Sequence, residues 1–162
     1  MQLTNKSNNL KMAKTKFPLF DTNAIIQYRK EISESKFLIP KMRLSMVVFY
    51  ELTATTIDQS SFQLYERWLN IAVKKDLLLT PEMMDWYETA KLIRRLRFGE
   101  KSASRGKTPK IPNAQKLQND ALIARTAWAN NCFVVTTDID DFLLFLPFMK
   151  KLEIVFAEDF FS

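Results

Sequence analysis

The sequence has no histidine, a single cysteine and only two glycines among its 162 residues. Each shortage closes off a class of chemistry. Without His, imidazole acid–base catalysis is excluded, and a typical zinc site loses its usual nitrogen ligand. Two glycines cannot furnish the Gly-rich turns that cradle phosphates in dinucleotide-binding folds or P-loops. Cys132 has no partner for an internal disulfide, which points to a reducing compartment and a cytoplasmic protein. Long apolar runs are also missing. The longest, Leu143 to Met149, is broken by Pro147 and falls far short of the ~20 residues that span a bilayer, so no membrane association is expected. The stretch 1–16 is polar and rich in Asn and Lys, unlike a secretory signal. It reads as a flexible N-terminal arm, with Met12 as an alternative start.

What remains is the material of one soluble domain, residues 17–162, with 47% hydrophobic and 26% charged residues. The net charge of +6 gives a basic surface that would attract a polyanion, although the same excess could serve solubility alone. Short apolar runs at Phe17–Phe20, Phe37–Ile39, Leu44–Val48, Leu77–Leu79, Cys132–Thr136 and Leu152–Phe156 read as strands. Helical spacing follows Asp21 and Glu51, then runs from Ser60 or Ser61 as a cap through Phe62, Tyr65, Trp68, Leu69 and Ala72. Thr80-Pro-Glu82 predicts a helix start, with Met83, Trp86, Tyr87, Ala90 and Ile93 on its inner face. A helix over 114–130 and a short apolar one over 141–149 complete the list. Unbroken apolar strands alternating with helices predict an α/β fold whose parallel sheet is covered on both faces. Ligands in such folds bind at the carboxyl ends of the strands.

Four acids stand where strands hand over to helices or inside an apolar helix: Asp21, Glu51, Asp120 and Asp138. Each has two readings. Asp21 is either a helix N-cap or a metal ligand at the mouth of the first strand. Glu51, next to Val47 and Val48, is either a solvated first-turn acid or a carboxylate held by a partner. Asp120 shares a stripe with Leu117, Ala121, Ala124 and Ala127, where an unpaired carboxylate is costly; a buried Arg or a cation would answer that cost. Asp140 or Asp141 would cap a helix starting at Phe142, leaving Asp138 nearest the strand end, with Asp141 in reserve. Together the four suggest one oxygen-lined cation site, for Mg²⁺ or Mn²⁺. Clustered carboxylates without His suit metal-assisted phosphodiester hydrolysis, with ions about 3.5–4 Å apart where two act.

The segments Phe20-Asp-Thr-Asn23, Val47-Val-Phe-Tyr-Glu-Leu52, Asn119-Asp-Ala-Leu-Ile-Ala124 and Val135-Thr-Thr-Asp-Ile-Asp-Asp-Phe142 resemble the PIN-domain ribonucleases, over about Phe17 to Phe156. The last two segments are the most specific. The resemblance implies a Rossmann-like sandwich with a parallel sheet of about five strands. It also implies a pocket binding Mg²⁺ or Mn²⁺ and endonucleolytic cleavage of single-stranded or loop RNA. By position, Asp21, Glu51, Asp120 and Asp138 are the acidic quartet and Asp141 the acid before the final Phe, all five as metal ligands. Thr136 is the hydroxyl that orders the site, and Thr22 and Asn23 give support. In size the chain resembles the VapC-type toxins of type II toxin–antitoxin pairs. That implies a small antitoxin partner, received on the helices over 61–74 and 81–98, and a homodimer. The arm 1–16 and a basic loop over 99–113 depart from the compact form. Arg94, Arg95, Arg97, Lys101, Arg105, Lys107 and Lys110 are the candidate RNA-backbone contacts; the loop could equally be a solvated insertion.

Two other readings compete. One is a non-catalytic PIN-fold RNA-binding or assembly domain, against which the complete quartet argues. The other is phosphoryl transfer on a receiver-like sheet. That needs a Lys soon after a late strand, and the first Lys after Thr136 is Lys150.

Overall fold

The structure, a computed structural model, describes residues 16–35, 40–98 and 114–162. The expected arm before residue 16, the strand at Phe37–Ile39 and the basic loop 99–113 lie outside these residues. Five strands alternate with eight helices among the described residues. They are β1 (Phe17–Phe20), α1 (Thr22–Gln27), α2 (Arg29–Glu34), β2 (Leu44–Ser45), α3 (Met46–Thr55), α4 (Gln59–Lys74), β3 (Leu78–Leu79), α5 (Met83–Phe98), α6 (Ala114–Ala129), β4 (Cys132–Thr136), α7 (Ile139–Leu143), β5 (Ile154–Phe156) and α8 (Ala157–Phe161).

All strand pairs are parallel, as the apolar runs predict. The single five-stranded sheet is corrected: β1, β4 and β5 form one sheet in the order β1-β4-β5, and β2 and β3 form a second. An isolated bridge between Leu19 and Arg43 joins the two, with Arg43 N–H donating to Pro18 O at 2.7 Å. The split follows from the brevity of β2. The apolar run Leu44–Val48 is not one strand, because Ser45, itself still extended, accepts from Val47 N–H through its Oγ and caps α3, so the chain turns helical from Met46. Val47 and Val48 are therefore buried on a helix.

Helix ends also differ from expectation. Asp58, rather than Ser60 or Ser61, caps α4 by accepting from Ser61 N–H at 2.8 Å. At its other end Asp76 takes φ 54°, Leu77 N–H reaches Ala72 O and Asp76 N–H reaches Val73 O, which turns the chain into β3. α5 begins at Met83, two residues beyond the expected Pro81, and Asp85 in its first turn accepts from Glu82 N–H. The expected inner face of α5 is wrong. Met83, Trp86, Tyr87 and Ala90 are exposed and Ile93 only half-buried, while Asp85, Thr89 and Leu92 face inward. The late helix starts at Ile139, not Phe142, and gives way to turns after Leu143, where Pro147 follows.

The core centres on β4, whose Val134 and Val135 are fully enclosed, with Leu19, Phe20, Leu117, Leu122, Ile123 and Phe145 around it. α8, absent from the sequence reading, seals one side. Phe161 stacks on Tyr28 at 4.5 Å, and Phe160 meets Phe20 edge-on at 5.3 Å. No helix of the described residues is long and apolar enough to cross a membrane.

Candidate functional site

The parallel strands β1 and β4 run in register, Phe20 opposite Val135, so the residues that follow them emerge at the same edge. There Asp21 takes one of its two expected roles, the N-cap, and makes a second bond besides. Its Oδ1 accepts from Ala24 N–H at 2.7 Å, capping α1, and its Oδ2 accepts from Thr136 Oγ1 at 2.6 Å. Thr136 Oγ1 in turn accepts from Asp138 N–H at 2.9 Å, fixing the turn out of β4. Asp138 stands at the N-cap position of α7 without a side-chain capping bond, which leaves its carboxylate for other partners. The expected cap at Asp140 or Asp141 is thereby replaced, and Asp140 is exposed.

Glu51 sits in the second turn of α3. Its Oε1 accepts from Asn119 Nδ2 at 2.7 Å and its Oε2 from Thr22 Oγ1. Thr22 thus bonds directly to Glu51. Asn23 is exposed on α1. Asp120 lies on the buried stripe of α6, with Leu117, Ala121, Ala124 and Ala127 all enclosed. Its Oδ2 is buried without a hydrogen-bond partner among the described residues. The Arg partner considered for Asp120 belongs elsewhere. Arg125 engages Asp85 Oδ1 through Nε at 3.0 Å and a terminal nitrogen at 2.9 Å, tying α6 to α5.

One residue of the site escaped sequence reasoning. Lys116, one turn before Asp120 on α6, places Nζ 3.1 Å from Asp138 Oδ2 and also pairs with Asp141 Oδ2. The only sequence signal is its i, i+4 spacing to Asp120. Beside a basic loop it reads as a solvated lysine.

The electrostatics bind these acids into one cluster. Burial pushes the Asp21 carboxyl up to about 6, against the hydrogen bonds from Thr136 and Ala24, with further upward pressure from Glu51 and Asp138. Burial likewise carries Asp120 up to about 7; Lys116 opposes the rise, and Asp141, Asp21 and Glu51 add to it. The Asp138 and Asp141 carboxylates raise Lys116 well above the usual ammonium range, with desolvation opposing them. All five expected ligands, Asp21, Glu51, Asp120, Asp138 and Asp141, thus belong to one electrostatic cluster.

Their donor set, oxygen throughout, suits a hard divalent ion, and the orphaned Asp120 oxygen lacks only a positive partner. Among the described residues, however, no group of three or more His, Cys, Asp or Glu is arranged to hold an ion as it stands. Hydroxyl, amide and ammonium donors hold most of the oxygens. Side-chain adjustment is therefore part of any ion binding here.

A cleft of about 250 Å³ at the cluster is lined by Tyr50, Glu51, Gln115, Lys116 and Asn119. Tyr50, Gln115 and Asn119 are shared with an adjoining groove of about 380 Å³, walled further by Met46, Pro81 and Trp86. Of the expected RNA contacts, Arg94, Arg95 and Arg97 are exposed on α5. Arg95 lines a different cavity, with Arg125 and Phe148 and none of the five acids. Lys101, Arg105, Lys107 and Lys110 lie outside the described residues.

No protein-family model matches the chain, and no curated protein sequence matches it. Solved structures do. A chain of FitAB bound to an IR36 DNA fragment is similar over 87% of this chain and 95% of that one, with TM-score 0.56 and 16% identity. A chain of DNA-bound VapBC from Salmonella typhimurium covers 88% of this chain and 99% of its own length, with TM-score 0.54 and 16% identity. A chain of VapBC2 from Rickettsia felis, bound to a promoter DNA fragment, covers 86% and 98%, with TM-score 0.53 and 18% identity. The shared feature is the fold: an α/β sandwich in which helices flank parallel strands.

Proposed function

We propose that the chain is a Mg²⁺- or Mn²⁺-dependent endoribonuclease and the toxin of a toxin–antitoxin pair. The observation that carries the reading is the buried, unpartnered Asp120 Oδ2 within reach of the charges of Asp21, Glu51 and Asp141. A carboxylate so placed is costly unless a proton or a cation joins it. The fold shared with VapBC and FitAB chains supports the toxin role.

Asp21 and Asp120 would hold the ion, with Glu51, Asp138 and Asp141 completing the acidic wall. A bound divalent ion supplies a water of lowered pKa and charge to stabilise the leaving oxygen. The chain's own residues do the positioning. Thr136 and the α1 backbone orient Asp21. Thr22 and Asn119 orient Glu51. Asp120 Oδ2, without a hydrogen-bond partner among the described residues, is the oxygen open to the ion. The groove beside the cluster exposes Tyr50 and Trp86, flat faces on which unpaired bases can stack, which favours single-stranded or loop RNA. The net charge of +6 draws in the backbone.

As partners the reading gives a small antitoxin and a second copy of the chain. Met83, Met84, Trp86 and Tyr87 on α5 and Ile71 and Val73 on α4 are the exposed apolar residues available to them.

The test is cleavage of a structured RNA at high enzyme load. Mg²⁺ or Mn²⁺ should support cutting and EDTA should stop it. Asp120→Asn and Asp21→Asn should each lower the rate at least ~100-fold, on the scale of losing a catalytic acid or base. Variants that bind RNA as before while the wild type also cuts nothing would establish a non-catalytic RNA-binding domain instead.

A further inference from the structure

Lys116 sorts the acid cluster by direct pairing, although its charge and that of Asp141 also act on Asp120. On one side, Asp138 Oδ2 and Asp141 Oδ2 share its ammonium, so two carboxylates already have a cation between them. On the other, Asp21 takes neutral donors only, from Thr136 and Ala24. Asp120, nine-tenths buried, keeps Oδ2 without any partner among the described residues. Glu51, held by Thr22 and Asn119, borders this second side.

An ammonium offsets part of the charge of a carboxylate pair, and a divalent ion brought onto the same pair meets its repulsion. Lys116 is in the first turn of α6, whose next turn carries Asp120 on the same face, which sets its charge beside the cluster. We infer that Lys116 is a built-in cation standing in for a second metal ion, so that the site takes a single divalent ion on the Asp21–Asp120 side. This rests on the proposed metal site and adds its stoichiometry. It is also consistent with there being no ready-made ligand group among the described residues, since part of the acid set already serves the lysine.

The experiment counts ions on the full chain, without reference to activity. Metal-free protein is titrated with Mn²⁺ by calorimetry, and bound Mn²⁺ is read by electron paramagnetic resonance. The wild type should bind one ion per chain and show no Mn²⁺–Mn²⁺ coupling at saturation. Lys116→Gln, at a side chain 42% exposed and so tolerant of change, should admit a second ion and show that coupling. Lys116→Arg should stay at one. Two coupled ions on the wild type, or a single ion on Lys116→Gln, would overturn the inference while leaving the metal site standing. The wild-type count decides even if Lys116→Gln does not fold. Failure of every form to bind Mn²⁺ would remove the metal site and the inference together.

Discussion

Asp120 holds a carboxyl group in a place that penalises its charge, and the consequence is a pH dependence with a definite sign. Its folded-state value, about 7, and that of Asp21, about 6, both lie above the ordinary 3.8. Below about pH 4 both groups are protonated whether folded or not, and they contribute nothing. Between about pH 4 and 7 the folded chain keeps protons that the unfolded chain releases. Stability of the metal-free protein should therefore fall as pH rises through this window, by a few kcal/mol at about 1.4 kcal/mol per unit. Urea midpoints in EDTA at pH 5 and pH 8 check this, the lower pH giving the higher midpoint. Saturating Mn²⁺ should raise the pH 8 midpoint most, since an ion competes with the proton for the same oxygen. A midpoint higher at pH 8 in EDTA would mean that Asp120 is satisfied by something else. Lys116 belongs to the same balance, although nothing in Gln115-Lys116-Leu117 marks it as more than a solvated side chain.

α5 shows how an element can turn against its own hydrophobic pattern. Met83, Trp86, Tyr87 and Ala90 make an apolar stripe in the sequence, yet the helix buries Asp85, Thr89 and Leu92. The Asp85–Arg125 pair decides the rotation, because two charges brought together inside must be matched with each other. Asp85→Ala leaves Arg125 without its carboxylate and should cost about 3–5 kcal/mol in urea unfolding. Thr89 Oγ1 is buried with no hydrogen-bond partner among the described residues, so Thr89→Val should be neutral or gain about 1 kcal/mol, the opposite response one turn away. Such pairings join residues distant in sequence, and hydrophobic spacing does not encode them. Local signals did locate Asp21 as a cap, the stripe of α6 and the apolar strands β1 and β4. They failed at Leu44–Val48, where β-branched residues favour a strand but the Ser45 cap starts a helix, and at Phe160 and Phe161, whose stacking partners Tyr28 and Phe20 lie at the other end of the chain. Asp21 and Asp138 follow strand ends and Asp120 interrupts an apolar stripe, as the sequence indicates, whereas Glu51 lies in the second turn of α3 rather than past a strand. The donors that orient these acids were only partly readable: Thr22 and Thr136 lie inside the motifs, whereas the role of Asn119 depends on Glu51 from a different helix.

Across the molecule, an acidic pocket is set in a basic chain, and an apolar face on α5 lies close by. Trp86 on that face also walls the groove beside the acids, so whatever covers α5 lies near the site. With a second copy as the partner, the chain should sediment as a dimer at micromolar concentration, and Met83→Asp with Tyr87→Asp should give monomers with unchanged circular dichroism. A wild type that sediments as a monomer would leave this face to the proposed antitoxin. The two sheets meet through one bridge at Leu19 and Arg43, while β1 and β4 share a full register despite the length of chain between them. The hydrogen bond from Thr136 to Asp21 spans 115 positions. Contacts of such long range form late in folding. On a ribosome, Asp21 emerges early but stays without Thr136, Asp120 or β4 until nearly the whole domain has been made. Were the chain to cut RNA as proposed, the message being translated would be spared while synthesis is under way.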